Sequence, residues 1–446
     1  MRRILLKGGC VLTLGARSPN LRLGDVLIED AVVAEVGVGL RARDAEQIDA
    51  TDTIVMPGFV DTHRHAWTSL FRNVGDRASN GPSPATTPAP AADLGDHFRS
   101  EDVYAATLIG LLGAAEAGIT TIVDWSHLRA DDGLAAAALQ AHADAGLRSV
   151  FVHVPVARER GVAAATKQHV TRLTEAAGAL TTVAFGAVLS DATDLDGLAE
   201  EWALARELGL RIHVHGGSER AGGGVLTALL ERKLLGEDVT LLHRSELDDT
   251  DLDAIESSGA SVSLSPSSEM ASGLGSPPIQ QLIDHGIRPG LGIDDERVAP
   301  GDMFAQMRAT ISLQHATVFD RKLAGKAGLP RLMSTRDVIR FATVDGARVA
   351  GVGRETGSLE PGMQADLILL RTDRPNIFPI NDPIGAVVWG MDTSNVDRVF
   401  VAGRPLMRDG ALEANVEQAR DLATTAQHRV STAAGLATAA APGGER

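Results

Sequence analysis

"VMPGFVDTHRHAW", residues 55–67, decides how the rest of the chain is read. A hydrophobic run stops at the Pro57-Gly58 turn and restarts as a short strand. That strand delivers His63 and His65 where it runs out. Successive side chains on a strand point to opposite faces, so residues two apart share a face. Two imidazoles are therefore aimed at one place at the end of a strand. The same device recurs downstream, since "RIHVHGG" (211–217) carries His213 and His215 at equivalent spacing. "LLHRSELDD" (241–249) adds His243, and "GLGIDDERVAPGDMF" (290–304) adds Asp294 and Asp295.

Those stretches belong to a regular alternation. "TTIVDWSH", "RSVFVHV", "TVAFGAVL", "LRIHVHGG", "VTLLHRSE", "ASVSLSPS" and "RPGLGIDD" read as strands. Ala/Leu-rich helical text such as "DVYAATLIGLLGAAEAG" lies between them. With the strand ending in "DTHRH" they make eight strand–helix units, which predicts an α/β fold, a parallel (β/α)8 TIM barrel. Chemistry in such a barrel sits where the strands end. One His-x-His motif alone reads best as buried structural histidine. Strand-end histidines in three units together with aspartates in the eighth point to a divalent metal, which takes imidazole and carboxylate ligands.

Outside the barrel the text is different. Residues 1–55 read as short strands, "RRILLKGG", "VLTL", "DVLIED" and "AVVAEVG", and β text returns in "GSLEPGMQADLILLR" and "DRVFVAGRPLMRDG". The expected organisation is a small β-sandwich domain built from both chain ends, 1–55 and 355–412, beside a barrel over 56–354. A C-terminal helical segment and tail cover 413–446. The Pro-rich stretch "ASNGPSPATTPAPAADLGD" (78–96) follows the first histidine pair and reads either as a cover over the site or as a plain surface excursion.

Bulk composition narrows the function. Of 446 residues, 44% are hydrophobic, enough for a large buried core, and the formal charge of −16 argues against a nucleic-acid or anionic-membrane partner. Cys10 is the single cysteine, so neither an intrachain disulfide nor a thiolate zinc cluster can form. "MRRILLKGGCVLTLG" is broken by Lys7 and two glycines and reads as a strand rather than a signal peptide. No uninterrupted apolar stretch is long enough to span a bilayer. A cytoplasmic enzyme with a small-molecule substrate is expected, as a homo-oligomer, dimer or higher.

The chain resembles the amidohydrolase superfamily, nearest to its branch of cytosine, guanine and S-adenosylhomocysteine deaminases and triazine chlorohydrolases. "MPGFVDTHRH" resembles the family's PGxxDxHxH strand, and "HRHAWTSLFRNVGDR" follows the branch's passage from HxH into a SLFRG-like helix. "LLHRSELDDTDL" and "VSLSPSSEMASGLGSPPIQQLIDHGIRPGLGIDD" are similar to its strand-six, strand-seven and strand-eight signatures. "TGSLEPGMQADLILL" is similar to a further family signature near the C-terminus.

The resemblance implies that His63, His65, His215 and Asp294 hold one divalent metal ion, zinc first, with iron or manganese as alternatives. His215 is preferred to His213, and Asp294 to Asp295, by position in the family pattern. The fourth strand lacks the lysine or glutamate of two-metal relatives, which favours a mononuclear site. Asp294 becomes a catalytic proton carrier as well as a ligand, and His243 the group that polarises the substrate or steadies the attacking water. The implied function is hydrolysis of a non-peptide C–N bond in a small nitrogen-containing molecule, whether amide, cyclic amide or amino-heterocycle. Non-hydrolytic lyase, decarboxylase or isomerase chemistry on the same scaffold is the alternative, and a non-catalytic binding relative a third reading.

One departure stands out. The branch places glutamate three residues after the strand-five histidine, whereas "HGGSERAGGG" has Ser218 there and Glu219 one step later. Glu219 is thus a candidate substrate contact, alongside Trp67, Arg72, His127 and Glu269. For Arg72 a structural ion pair is the competing reading. His97, His142, His169, His285, His315 and His428 fall in loop or helical text and receive no role.

Overall fold

The computed structural model describes residues 2–73, 94–128, 132–154, 163–189, 194–216, 225–243 and 247–436. The chain begins with β1 (Arg3–Val11), β2 (Leu21–Glu29), β3 (Val32–Gly37), β4 (Glu46–Asp49) and β5 (Thr53–Pro57). Eight barrel strands follow: β6 (Phe59–Arg64), β7 (Ile119–Ser126), β8 (Arg148–His153), β9 (Thr181–Leu189), β10 (Ile212–Gly216), β11 (Val239–Leu242), β12 (Ser261–Leu264) and β13 (Gly290–Leu291). β14 (Leu367–Arg371), β15 (Val396–Val401), β16 (Arg404–Arg408) and β17 (Ala411–Leu412) complete the set.

The barrel strands pair in sequence order, each parallel to the next. All eight lie on stretches the sequence pattern marks as strands. β13 is the shortest because the chain leaves the ladder to present Asp294. There the first and last strands are joined by the aspartate's own backbone: its N–H donates to the His63 carbonyl (2.8 Å), and its carbonyl accepts from the His65 N–H (2.9 Å). Gly292 makes this approach possible. A Cβ there would lie 2.8 Å from the His63 carbonyl oxygen and 2.9 Å from its nitrogen, so no larger residue fits between the two strands.

The remaining strands form one nine-stranded sheet in the order β17-β16-β15-β14-β5-β1-β2-β3, with β4 also on β1. β5 pairs antiparallel with β14, which brings the two chain ends together as expected. Ile4, Val26, Val33, Ile48, Val55, Leu367 and Phe400 from its different strands share one apolar core. "RRILLKGG" and "VLTL" differ from expectation. The first runs on through Gly8, which at φ +79° is absorbed as a bulge in the β1–β2 ladder, to Val11, and Leu12–Leu14 of the second lie beyond the end of β1.

The sheet feeds the barrel directly, since β5 ends at Pro57 and β6 starts at Phe59. A buried ion pair spans the two: Arg148 at the start of β8 donates to Asp366 beside β14 through Nε (2.7 Å) and Nη2 (3.4 Å). The helix Val416–Ala433 lies against the helix Ser100–Glu116, where Arg429 pairs with Asp102. Most of 78–96 lies outside the described residues. Among those described, no helix is long and apolar enough to cross a membrane.

Candidate active site

The strand-end residues converge at the mouth of the barrel. Asp294 Oδ1 lies 3.3 Å from His63 Nε2, 3.2 Å from His65 Nε2 and 3.6 Å from His243 Nε2. The His215 ring sits 5.6 Å from that of His63 and 4.8 Å from that of His243, centroid to centroid. Two ligand sets emerge, His63–His65–His215 and His63–His243–Asp294, each with its ligand atoms within 4.8 Å of one another. His213, on the same strand as His215, belongs to neither. It is fully buried, and neither ring nitrogen has a partner among the described residues.

The backbone fixes which nitrogen each ring offers. A carbonyl can only accept, so the contacts of His65 Nδ1 with Trp125 O (3.1 Å) and His215 Nδ1 with Gly216 O (2.7 Å) place a proton on Nδ1 in both. Nε2 is then a lone pair turned into the site. Neither nitrogen of His63 has hydrogen-bond geometry to a described residue, although the ring is wholly buried. Two site residues also carry left-handed backbone, His243 at φ +50° and Asp294 at φ +66°. Such conformations cost roughly 1–2 kcal/mol outside glycine and persist only where surrounding contacts impose them.

The electrostatics set two neutral imidazoles beside an ionised Asp294. Burial pushes His215 down to about 3, helped by His243 and His65, and burial holds His63 well below the ordinary imidazole range against the pull of Asp294. Both rings are neutral, the form that ligates metal. Burial also acts on His243, but Asp294 and Glu269 outweigh it and raise that ring to about 10. Burial would raise Asp294, yet the charge of His243 and contacts with His243, His63 and His65 hold it well below the usual carboxylate range. Neutral imidazoles, one carboxylate and an orphaned buried nitrogen make an N/O donor set suited to a zinc-class ion.

A cavity of about 340 Å³ opens on this cluster, walled by His65, Trp125, His127, His215, Asp294 and Asp295 among others. That is room for a small ligand. His127 stands edge-on to His65 at 4.7 Å and so joins the wall. Trp67 is displaced from it. Its ring packs into the core between Phe98 and His127, 2% exposed. Arg72 makes a two-pronged bond to Glu296 (3.0 and 3.0 Å), the structural ion pair that competed with a substrate role. Glu269 is wholly buried behind His243, its Oε1 3.2 Å from His243 Nδ1. Asp295 is held by Arg297 (2.7 Å). Glu219 lies outside the described residues.

Two supporting residues, Asp61 and His142, receive no role of their own from the sequence pattern, and Asp124, at the strand end that leads to His127, acts beside them. Asp61 accepts from the backbone of Ile293 (3.0 Å) and His63 (3.3 Å), tying the last strand to the first, and lies 2.8 Å from Arg64 Nε. Asp61 fills the Asp position of the PGxxDxHxH resemblance, which marks the residue but not its partners, and a register shift between Asp61 and Arg64 brings those two together. Asp124 accepts from Ala66 N (2.9 Å), just after His65, and from His142 (2.9 Å), whose other nitrogen contacts Ser149 (2.7 Å). His142 is therefore not idle, though nothing in its helical text marks it. Ser268 Oγ donates to Asp294 Oδ2 (2.5 Å).

An eight-stranded parallel barrel with a His/Asp donor set at its mouth defines the class of this protein as a barrel with a candidate metal site. The amidohydrolase family model matches residues 54–406, and the chain belongs to that family. It is 30% identical over 428 residues to a 5'-deoxyadenosine deaminase of Methanothermobacter thermautotrophicus, covering 92% of this chain and 94% of the relative. It is 28% identical over 434 residues to a 5-methylthioadenosine/S-adenosylhomocysteine deaminase of Symbiobacterium thermophilum, with the same coverage. Among solved structures, a zinc-bound adenosine deaminase from Xanthomonas campestris matches the fold with TM-score 0.80 at 19% identity, covering 96% of this chain and 98% of that one. The reaction class is hydrolysis of a non-peptide carbon–nitrogen bond.

Proposed function

We propose that this enzyme hydrolytically deaminates an adenine nucleoside modified at its 5' position, with one zinc ion held by His63, His65, His215 and Asp294. The observation that carries the chemistry is the approach of Asp294 Oδ1 to three imidazole nitrogens within 3.6 Å, at the floor of a cavity sized for a small molecule. The substrate class rests on relatives named for 5'-deoxyadenosine and for 5-methylthioadenosine and S-adenosylhomocysteine, aligned over nearly the whole chain.

A divalent ion bound there supplies Lewis acidity that brings a water's pKa to about 7. The residues do the rest. Asp294 accepts the proton of the attacking water, being ionised and already inside the cluster. His243, opposite it, steadies the water and the developing charge at the ring carbon. Oxygen adds to the carbon bearing the amino group, the C–N bond breaks, and the proton carried by Asp294 leaves with ammonia. His65 and His215 stay fixed by their Nδ1–H bonds to backbone carbonyls. Trp125 and His127 offer aromatic faces on the cavity wall for a planar base.

The test is to incubate zinc-loaded protein with 5'-deoxyadenosine, 5-methylthioadenosine and S-adenosylhomocysteine in heavy-oxygen water. The expected result is ammonia release with one solvent oxygen on the purine ring of the product. Ammonia from none of the three, with turnover of a non-nucleoside amide or triazine, would overturn the substrate assignment.

A further inference from the structure

We propose that Glu269 is a positioning residue for His243: its carboxylate takes the Nδ1–H of that ring and so turns Nε2 toward the reacting centre. The inference rests on His243 acting as read above. His65 and His215 each have their Nδ1 held by a backbone carbonyl, of Trp125 and Gly216. His243 has no such carbonyl; its Nδ1 partner is the side chain of Glu269, at 3.2 Å. The same Oε1 receives the backbone N–H of Ser265 at 2.8 Å, and since that N–H can only donate, Oε1 is an acceptor. The ring nitrogen sharing that oxygen therefore carries the proton. Nε2 is left as the atom that faces Asp294, 3.6 Å away.

The support is local and rigid. Glu269 sits on the short helix Pro266–Ala271 that follows β12, and it is wholly buried. Ser268, the residue before it, donates to Asp294 Oδ2. Adjacent residues of one helical turn thus hold both members of the Asp294–His243 pair, one through each side chain. His243 needs this hold because its backbone is left-handed, at φ +50°, and it ends its strand rather than lying within it. Glu269 Oε2 is buried with no partner among the described residues. Burying that oxygen costs free energy, which the two contacts at Oε1 offset in part.

Two substitutions separate reach from charge. Glu269→Gln keeps an acceptor oxygen at the same length and removes the charge. Glu269→Asp keeps the charge and is one methylene shorter. The zinc-loaded full-length protein, labelled with 15N-histidine, reports the tautomer of each ring by NMR, and loss of one signal in His243→Asn assigns His243. Positioning predicts an Nδ1–H signal for His243 in the native protein and in Glu269→Gln, lost or moved to Nε2 in Glu269→Asp. Deamination of 5'-deoxyadenosine should follow: kcat down about 10-fold or more in Glu269→Asp at nearly unchanged KM, with Glu269→Gln close to native. The reverse ranking, or an Nδ1–H signal indifferent to both changes, overturns the proposal. If the native enzyme deaminates no nucleoside, the substrate reading fails while the NMR result still decides the role of Glu269.

Discussion

Two buried aspartates of this chain make opposite use of their surroundings. Asp366 lies between the terminal sheet and the bottom of the barrel, where Arg148 donates to it at 2.7 and 3.4 Å and the backbone of Ala402 at 2.7 Å. Every demand of its charge is met by protein. Asp294, at the mouth, is surrounded by imidazoles, one of which, His63, is wholly buried with neither nitrogen in hydrogen-bond geometry to a described residue. A satisfied buried charge holds domains together, while an incompletely satisfied one marks where something else must bind. The comparison locates function at one end of the barrel and architecture at the other.

The two aspartates should fail differently. Asp294→Asn keeps the shape and removes the charge that takes the proton. Ammonia release should fall by about 10³-fold or more, with bound zinc, measured by plasma emission, much reduced. Asp366→Ala should leave activity per folded molecule within about twofold but take from Arg148 its buried partner, leaving it Glu355 (3.0 Å) and Gln364 (3.3 Å). Its expected cost is about 1–3 kcal/mol in denaturant-unfolding free energy. If Asp366→Ala abolished turnover in folded protein, or Asp294→Asn left it intact, the distinction between the two ends would break.

Much of this division is legible in the sequence, for a physical reason. Strands and their ends follow from local pattern, so the alternation of apolar runs and helical text marks all eight barrel strands, and "DTHRH", "HVHGG" and "GLGIDD" fall at their ends. Side-chain partnerships are tertiary and leave little local trace. Arg72 and Glu296 are far apart in the chain, yet the fold joins them in a two-pronged ion pair. Glu269 looks like a polar contact in "SPSSEM", and only the fold puts it behind His243. His142 sits in unremarkable helical text until the barrel brings Asp124 and Ser149 to it.

Removing the metal gives the next largest effect. Chelation should abolish deamination and lower the unfolding free energy, and zinc at about a hundred times its dissociation constant should restore about 2.7 kcal/mol. The same increment is expected in Asp366→Ala, because that site and the metal site do not share groups. It should vanish in His63→Asn. An Asp366→Ala protein that no longer responds to zinc would mean the two ends are coupled, and the contrast would need redrawing.

The smallest expected effect tests the contrast within a single strand. His213 and His215 share a face of β10, but only His215 has a ring nitrogen turned into the cluster with the other fixed by Gly216. His213 is buried, with burial and nearby Arg211 pushing it down to about 3, so it is a neutral ring, and neither nitrogen has a partner among the described residues. Replacing both unpartnered nitrogens by carbon removes a desolvation cost and leaves a side chain of comparable bulk. His213→Leu should therefore change unfolding free energy by no more than about 1 kcal/mol in either direction. Zinc content should be unchanged and kcat within about threefold of native, whereas His215→Leu should lose the ion. An outcome with these two exchanged would move the ligand two residues along the strand, and with it the site from the barrel's mouth toward its core.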